Sequence, residues 1–214
     1  TLETKFPAIL RNWLGNDFIQ DWVRGRAAKN LTNDSTKLGR HPYEPCYLYE
    51  SGILPLQKYG IKGVVWYQGE SNAHNKDAHA ELFKLLVESW RENWSNPDMP
   101  FYFVQLSSLN RPSWPWFRDS QLQLMKEIKN TGMAVTTDCG DSLGVHPRCK
   151  QPVGERLGRW ALNKTYGMTN VVPSGPVAKE VKREGNVLLV SFDYAEGLHT
   201  ADGKAPACFE IAEE

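Results

Sequence analysis

Three apolar runs of strand length, each leading through a turn into a helix-period pattern, constrain this chain more than any other feature. They are "IKGVVWY" at 61–67, "FYFVQL" at 101–106 and "GMAVTTD" at 132–138. Their length and the turn residues around them mark them as buried strands. A helix is predicted over 77–94, because Phe83, Leu86, Val87, Trp90 and Trp94 fall on one helical face. Pro97 and Pro100 follow it as stop signals. A second helix is predicted over 118–129, with Leu122, Met125 and Ile128 spaced by three, after a polar Pro- and Trp-rich loop. A third is predicted over 150–166, with Val153, Leu157, Trp160 and Ala161 on one face. This alternation predicts an α/β fold with a parallel sheet covered by helices.

In such sheets the working residues gather beyond the carboxyl ends of the strands. The loops that matter are therefore "QGESNAHN", "SSLNRPSWPWF" and "DCGDSLGVHP". The flanks have a different texture. Residues 1–60 form a less regular lead into a core at 61–168. Residues 169–214 turn β-like, with "NVLLVSFDY" as a strand and "SGP", "EGL" and "ADGK" as turns. We expect them to open a β-rich accessory domain. The chain begins at "TLETKFPAIL" and stops at "CFEIAEE", which suggests a piece of a longer protein.

Composition narrows the partners. The 25 basic and 25 acidic residues balance, with no basic stripe, so nucleic acid and anionic membrane are poor partners. No apolar run approaches the ~20 residues of a membrane helix. Eight Trp and eight Tyr suit a sugar-binding cleft, but core and surface packing is the favoured account of them. Cys46, Cys139, Cys149 and Cys208 contain no Cys-x-x-Cys pair, which argues against a zinc or redox motif. They are compatible with disulfides without demanding any. Sequons at Asn30, Asn33, Asn93 and Asn163 matter only in a eukaryotic secretory route.

The loops supply candidates for chemistry. His146 follows the third strand, and a histidine near its ordinary pKa of ~6.5 can take and return a hydroxyl proton. A carboxylate such as Glu70 could fix its tautomer. Gln68 could donate to a developing oxyanion. Ser71 lies in "GESNA", close to a Gly-x-Ser-x-Gly elbow. Each residue also has a structural reading. His146 could be an ordinary loop residue, Glu70 a helix-dipole partner, Gln68 a backbone partner and Ser71 a cap or turn hydroxyl. Asp138 and Asp141 could form a carboxylate pair, but loop Asp residues are common. His41, His74, His79 and His199 form no convincing metal spacing.

Several segments, in this order, resemble the sialate O-acetylesterases of the SGNH-hydrolase clan. They are "LYESGILPLQKYGIKGVVWYQGESNA", "FYFVQLS", "FRDSQLQLM", "TDCGDSLGVHPRCKQPVGERLGRWAL" and "SGPVAKEV" with "CFEIA". The resemblance runs from about residue 45 to the end. It implies a flavodoxin-like three-layer α/β/α core and hydrolysis of an O-acetyl ester on a sugar, typically the 9-O-acetyl group of sialic acid. It implies a serine nucleophile and a histidine base, with no metal or cofactor. Carried over residue by residue, the base is His146, its acid partner Glu70, and the oxyanion-side amide Gln68. Arg118 matches an arginine of the "RD-Q" segment, as a substrate or structural contact.

The family's nucleophile comes from a Gly-Gln-Ser-Asn segment upstream of everything in this chain. "GDSL" at 140–143 spells the clan signature, but it lies four residues before His146, in the histidine loop. The nucleophile is therefore expected outside this chain, with Ser71 and Ser142 as weak alternatives. Many members carry Asp two residues before the histidine, where this chain has Gly144. That leaves Glu70, Asp141 or water to partner His146. The resemblance implies a secreted, periplasmic or lysosomal protein. Rival expectations are an acetylxylan or other polysaccharide esterase, and a non-catalytic carbohydrate-binding protein of the same fold. Another is that the chain by itself is inert and incompletely folded, with an exposed sheet edge that promotes aggregation.

Overall fold

The computed structural model describes Asp21 and residues 46–200, 202–207 and 209–210. Most of the irregular lead, with His41, Asn30 and Asn33, lies outside the described residues, as does Cys208.

The three apolar runs form β1 (Val64–Trp66), β2 (Phe101–Val104) and β3 (Thr131–Ala134). All pair in parallel in the order β1-β2-β3, with Val64 opposite Phe101 and Phe101 opposite Thr131. Every residue of β2 is buried. Successive side chains on a strand point to opposite faces, so both faces of the central strand are covered, as a parallel sheet requires. Phe101 and Phe103 join Val64, Met133, Phe83, Val87 and Leu124 in one core cluster. Three aromatic rings interlock there: Phe83 meets Phe101 edge-on at 5.7 Å and Phe103 at 5.0 Å between centroids.

Helix α1 runs Lys76–Asn93, within a residue of expectation at each end. Asn75 caps it, its side-chain oxygen accepting the Ala78 amide at 3.1 Å and satisfying one donor of the first turn. Phe83 and Val87 are buried, and Leu86, Trp90 and Trp94 pack at the margin of the same cluster. The buried face also includes His79.

Helix α2 spans Trp114–Glu127 and starts four residues before the expected 118. Pro115 is compatible with the first turn, where its missing N–H removes no helical bond. Trp114 and Phe117 are buried, and the Trp114 indole N–H donates to the Ser107 carbonyl at 2.7 Å. The fully buried face is thus Trp114, Phe117, Gln121 and Leu124. Leu122, Met125 and Ile128 flank it, partly buried. Helix α3 covers Gln151–Trp160 and then widens into a π turn at Ala161–Thr165. The expected helix over 150–166 therefore divides into two windings.

The chain forms two compact units that part between Leu157 and Gly158. The first holds the parallel sheet with α1 and α2. The second contains an antiparallel hairpin of β4 (Val177–Glu184) and β5 (Val187–Asp193), turning at Gly185 with φ +62°. β5 is the strand read from "NVLLVSFDY". Its partner β4 carries Lys179, Glu180, Lys182, Arg183 and Glu184, which conceals it from a search for apolar runs.

Candidate active site

Residues 67–73 leave β1 and turn sharply into a short 3-10 winding, Glu70–Asn72. Gly69 makes the turn with φ +146°, a conformation that costs a side-chain-bearing residue dearly. A Cβ there would also lie 3.0 Å from Phe117 Cζ and 3.6 Å from His79 Cε1. The backbone is therefore pressed against two rings, and Gln68 and Glu70 are held on either side of a fixed point. Gln68 is exposed and Glu70 half-buried. The Glu70 carboxylate accepts the Gly69 N–H at 3.1 Å.

His79 locks the same turn from α1. Its Nδ1 lies 3.1 Å from Asn72 Nδ2. An amide nitrogen can only donate, so the ring nitrogen accepts and the proton of the neutral imidazole sits on Nε2. The ring lies 4.6 Å from Phe117 and 6.0 Å from Phe83, centroid to centroid. Burial pushes its pKa down to about 4. Asn72 in turn donates its backbone N–H to the Gly69 carbonyl at 2.9 Å.

Beyond β2 and β3 a polar lattice continues the sheet edge. Gln121 replaces a strand partner for the end of β2: its Oε1 accepts the Leu106 N–H at 2.9 Å and its Nε2 donates to the Val104 carbonyl at 3.2 Å. Gln105, also buried, donates its Nε2 to the Arg118 carbonyl at 2.9 Å, and its Oε1 accepts from Arg118 Nη2 at 3.0 Å. Arg118 Nη2 also donates to Thr137 Oγ1. The guanidinium thus spans the ends of β2 and β3, and burial lowers its pKa. Thr136 Oγ1 donates to the Gln105 carbonyl at 2.7 Å. These bonds give Arg118 a scaffold role.

The histidine loop follows β3 through the short winding Thr137–Cys139. Asp138 forms a two-pronged ion pair with Arg156, both contacts at 2.6 Å. The guanidinium holds the Asp138 carboxyl down to about 2. Arg156 Nη1 also donates to the Val135 carbonyl at 2.7 Å, so α3 is fastened to the end of β3. Asp141 Oδ1 accepts the Leu143 N–H at 2.9 Å. Gly140 sits directly on Ser108, where any Cβ would come within 2.4 Å of the Ser108 nitrogen. Ser142 is exposed, and its carbonyl accepts the Asn110 N–H at 3.0 Å. His146 is exposed, and among the described residues it makes no hydrogen bond to Glu70 or Asp141. Ser71 is exposed in the first turn, its carbonyl 2.8 Å from His74 Nδ1.

The three loops touch one another. Lys150 Nζ, four residues after His146, stands 4.4 Å from the Tyr67 ring centroid beside Gln68. The Ser142–Asn110 bond joins the histidine loop to the loop after β2. The loops at the carboxyl edge of the sheet therefore carry an exposed amide, a carboxylate and an exposed imidazole, with the Lys150 ammonium over Tyr67 beside the amide. Those groups suit proton transfer and oxyanion stabilisation. Among the described residues no cluster of three His, Cys, Asp or Glu is placed to hold a metal ion.

The sequence reading missed His79, Gln105 and Gln121. His79 did carry a signal, since it lies four residues before Phe83 and eight before Val87 on the buried face. Gln121 likewise falls between Phe117 and Leu124 at core spacing.

Comparison with known proteins gives concordant matches. The family model for carbohydrate esterases described as sialic acid-specific acetylesterase matches residues 15–163. Sialate O-acetylesterase of Mus musculus is 33% identical over 195 residues, covering 80% of this chain and 36% of that protein. The Homo sapiens sialate O-acetylesterase is 31% identical, over 99% of this chain and 45% of that protein. A crystal structure of a novel carbohydrate acetylesterase from Xanthomonas citri superposes with a TM-score of 0.59 at 34% identity, covering 65% of this chain and 34% of that one. The chain thus spans between about a third and just under a half of these relatives.

Proposed function

The chain belongs to the sialic acid-specific acetylesterase family of carbohydrate esterases, and from that premise we propose that it is part of a serine-type hydrolase of O-acetyl esters on sugars, with 9-O-acetylated sialic acid as its substrate. In the intact protein a serine upstream of this chain attacks the acetyl carbonyl. His146 takes the serine proton and later returns it to the departing sugar alkoxide. Gln68 donates a hydrogen bond to the tetrahedral oxyanion, together with backbone amides. Water, activated by the same histidine, then releases acetate and restores the serine. Glu70 orients His146 in the substrate complex, where such contacts tighten beyond their geometry in the free enzyme.

The observation that carries this reading is the convergence of the Gln68–Glu70 turn and the His146 loop at one sheet edge, bridged by Lys150 over Tyr67. The exposed side of β1 supports an upstream position for the nucleophile. β1 is an edge strand among the described residues, and Val65 on it is 63% exposed. An upstream strand ending in the nucleophile would pair there and deliver its serine beside Gln68. Ser71 and Ser142 are poorer candidates, because Ser71 belongs to the turn that supplies Glu70 and Ser142 to the loop that supplies His146. We also read the β4–β5 hairpin as the start of an accessory β-rich domain over 169–214. Val181, Val187 and Leu189 are exposed on it and would be covered by further strands. No helix among the described residues is long and apolar enough to cross a membrane. Secretion, or delivery to a periplasm or lysosome, goes with the family reading.

A polysaccharide esterase is the second reading, compatible with the likeness to the Xanthomonas citri carbohydrate acetylesterase, whose name is not restricted to sialic acid. The test is acetate release by the full-length gene product from 9-O-acetylated sialic acid and from acetylated xylan. Preference for the sialic acid ester supports the first reading. Preference for xylan selects the second, and inactivity on both would favour a sugar-binding protein.

A further inference from the structure

Lys150 is a cation that the candidate site leaves uncommitted. Its Nζ stands 4.4 Å from the centroid of the Tyr67 ring, inside the range of a cation–π contact. Tyr67 precedes Gln68 in the turn after β1 and packs against the buried cluster of Ala73, Leu106, Trp114 and Phe117, so the platform under the ammonium is fixed. The base of the side chain is fixed too, because the Lys150 carbonyl accepts the Gly154 N–H at 3.1 Å at the start of α3. Yet Lys150 is exposed, and among the described residues no carboxylate lies within ion-pair distance of it. Arg156 differs, since its charge is committed to Asp138. The position does not serve α3 either. A cation at the amino end of a helix opposes the helix dipole, and the first turn of α3 carries no acidic residue to offset it. A ring face engages an ammonium without exhausting its three N–H donors. Beside the amide of the oxyanion side there is thus an unneutralised charge with donors to spare.

We propose that Lys150 binds the carboxylate of an acidic sugar and so sets the preference of the site for sialic acid esters over esters of a neutral polysaccharide. This rests on the esterase reading of the same site and names a residue that decides its substrate. The neutral xylan backbone offers only hydroxyl, ether and ester groups, whereas sialic acid carries a C1 carboxylate that is ionised at neutral pH. A hydrogen bond from an ammonium to a carboxylate is charge-assisted and about twice as strong as a neutral one. Lysine is a compact point charge on a flexible stem. It can follow a carboxylate that lies across the sugar ring from the 9-O-acetyl group, while the Tyr67 face keeps it in reach of the site. The contact is made with substrate and transition state alike, so it acts on KM rather than on kcat.

Binding of the deacetylated sugar tests this without turnover. The full-length gene product is titrated, by ligand-observed NMR, with the methyl glycoside of sialic acid and with the same glycoside carrying a C1 carboxamide. The wild type should bind the acid about 10- to 100-fold more tightly than the amide, the worth of one hydrogen bond to a charged group. Lys150→Gln should bind both at the level of the amide, and Lys150→Arg should keep the preference. Arg148→Gln, which removes another exposed charge two residues away, should keep it as well. Failure of the wild type to favour the acid would overturn the proposal, as would an undiminished preference in Lys150→Gln. Loss of the preference in both Lys150 variants would assign it to packing on Tyr67, and equal loss in Arg148→Gln to the general field of the loop, and either would overturn the proposal too. Acetate release from 9-O-acetylated sialic acid by the wild type tests the esterase reading separately. Inactivity there with the binding pattern intact would refute that reading and leave Lys150 as the carboxylate contact of a sugar-binding protein.

Discussion

Acid should loosen this fold through a single buried imidazole. His79 is 4% exposed, packed against Phe83 and Phe117, and its Nδ1 accepts from Asn72. Protonation would turn that acceptor into a donor facing another donor and place a charge among aromatic rings. The folded protein therefore resists it, and the pKa falls from 6.5 to about 4. Since the folded value is depressed, the unfolded chain binds more protons between these two values. Stability is fully present above the unfolded pKa and is lost as pH falls toward the folded one. At about 1.4 kcal/mol for each tenfold, the complete effect is about 3 kcal/mol, of which about 2 kcal/mol is lost between about pH 7 and about pH 5. The comparison is His79→Gln, whose amide oxygen can accept from Asn72 without titrating. Urea midpoints of the full-length protein, followed by tryptophan fluorescence, should fall more steeply with acid in the wild type than in this variant. Equal pH slopes in the two proteins would refute the reasoning.

Other expectations bear on the turn, the scaffold and the loop. Gly69→Ala should destabilise the protein by about 1–3 kcal/mol through its strained φ and the clash with Phe117, seen as a lower Tm. Gln121→Leu leaves the Leu106 N–H and the Val104 carbonyl without their partner and should cost about 1–3 kcal/mol for each buried group left unsatisfied, read by urea unfolding. Gln68→Ala should lower kcat on an acetyl ester by about 10²–10³ with little change in KM, as loss of an oxyanion donor does. A fluorophosphonate probe should label a serine outside this chain, and label on Ser71 or Ser142 would move the nucleophile into it.

The parts of this fold that sequence reveals are those with a local period. "FYFVQL" is apolar at every position of the strand it forms, and the Phe83–Trp94 spacing marks α1 to within a residue of its ends. The start of α2 escaped because Trp-Pro-Trp reads as loop, while its burial depends on the distant Ser107 carbonyl and on Gly69. β4 escaped because its charges face solvent and its pairing with β5 is not a property of its own residues. The site divides in the same way. Gln68, Glu70 and His146 were nominated by motif and by their place after strands. His79, Gln105 and Gln121 hold the loops through bonds to partners up to 17 positions away; the helical spacing of His79 and Gln121 marks them as buried, but which groups they bind is not a property of their neighbours. Arg118 was nominated as a substrate or structural contact, and its bonds to Gln105 and Thr137 place it within the scaffold.

The central claim is that His146 is the general base of an O-acetyl ester hydrolase. The most direct measurement is acetate release from 9-O-acetylated sialic acid by the full-length protein and by its His146→Ala variant, with matching unfolding midpoints as the control for folding. The account predicts turnover by the wild type and its loss in the variant. A folded His146→Ala protein that releases acetate at the wild-type rate would contradict it.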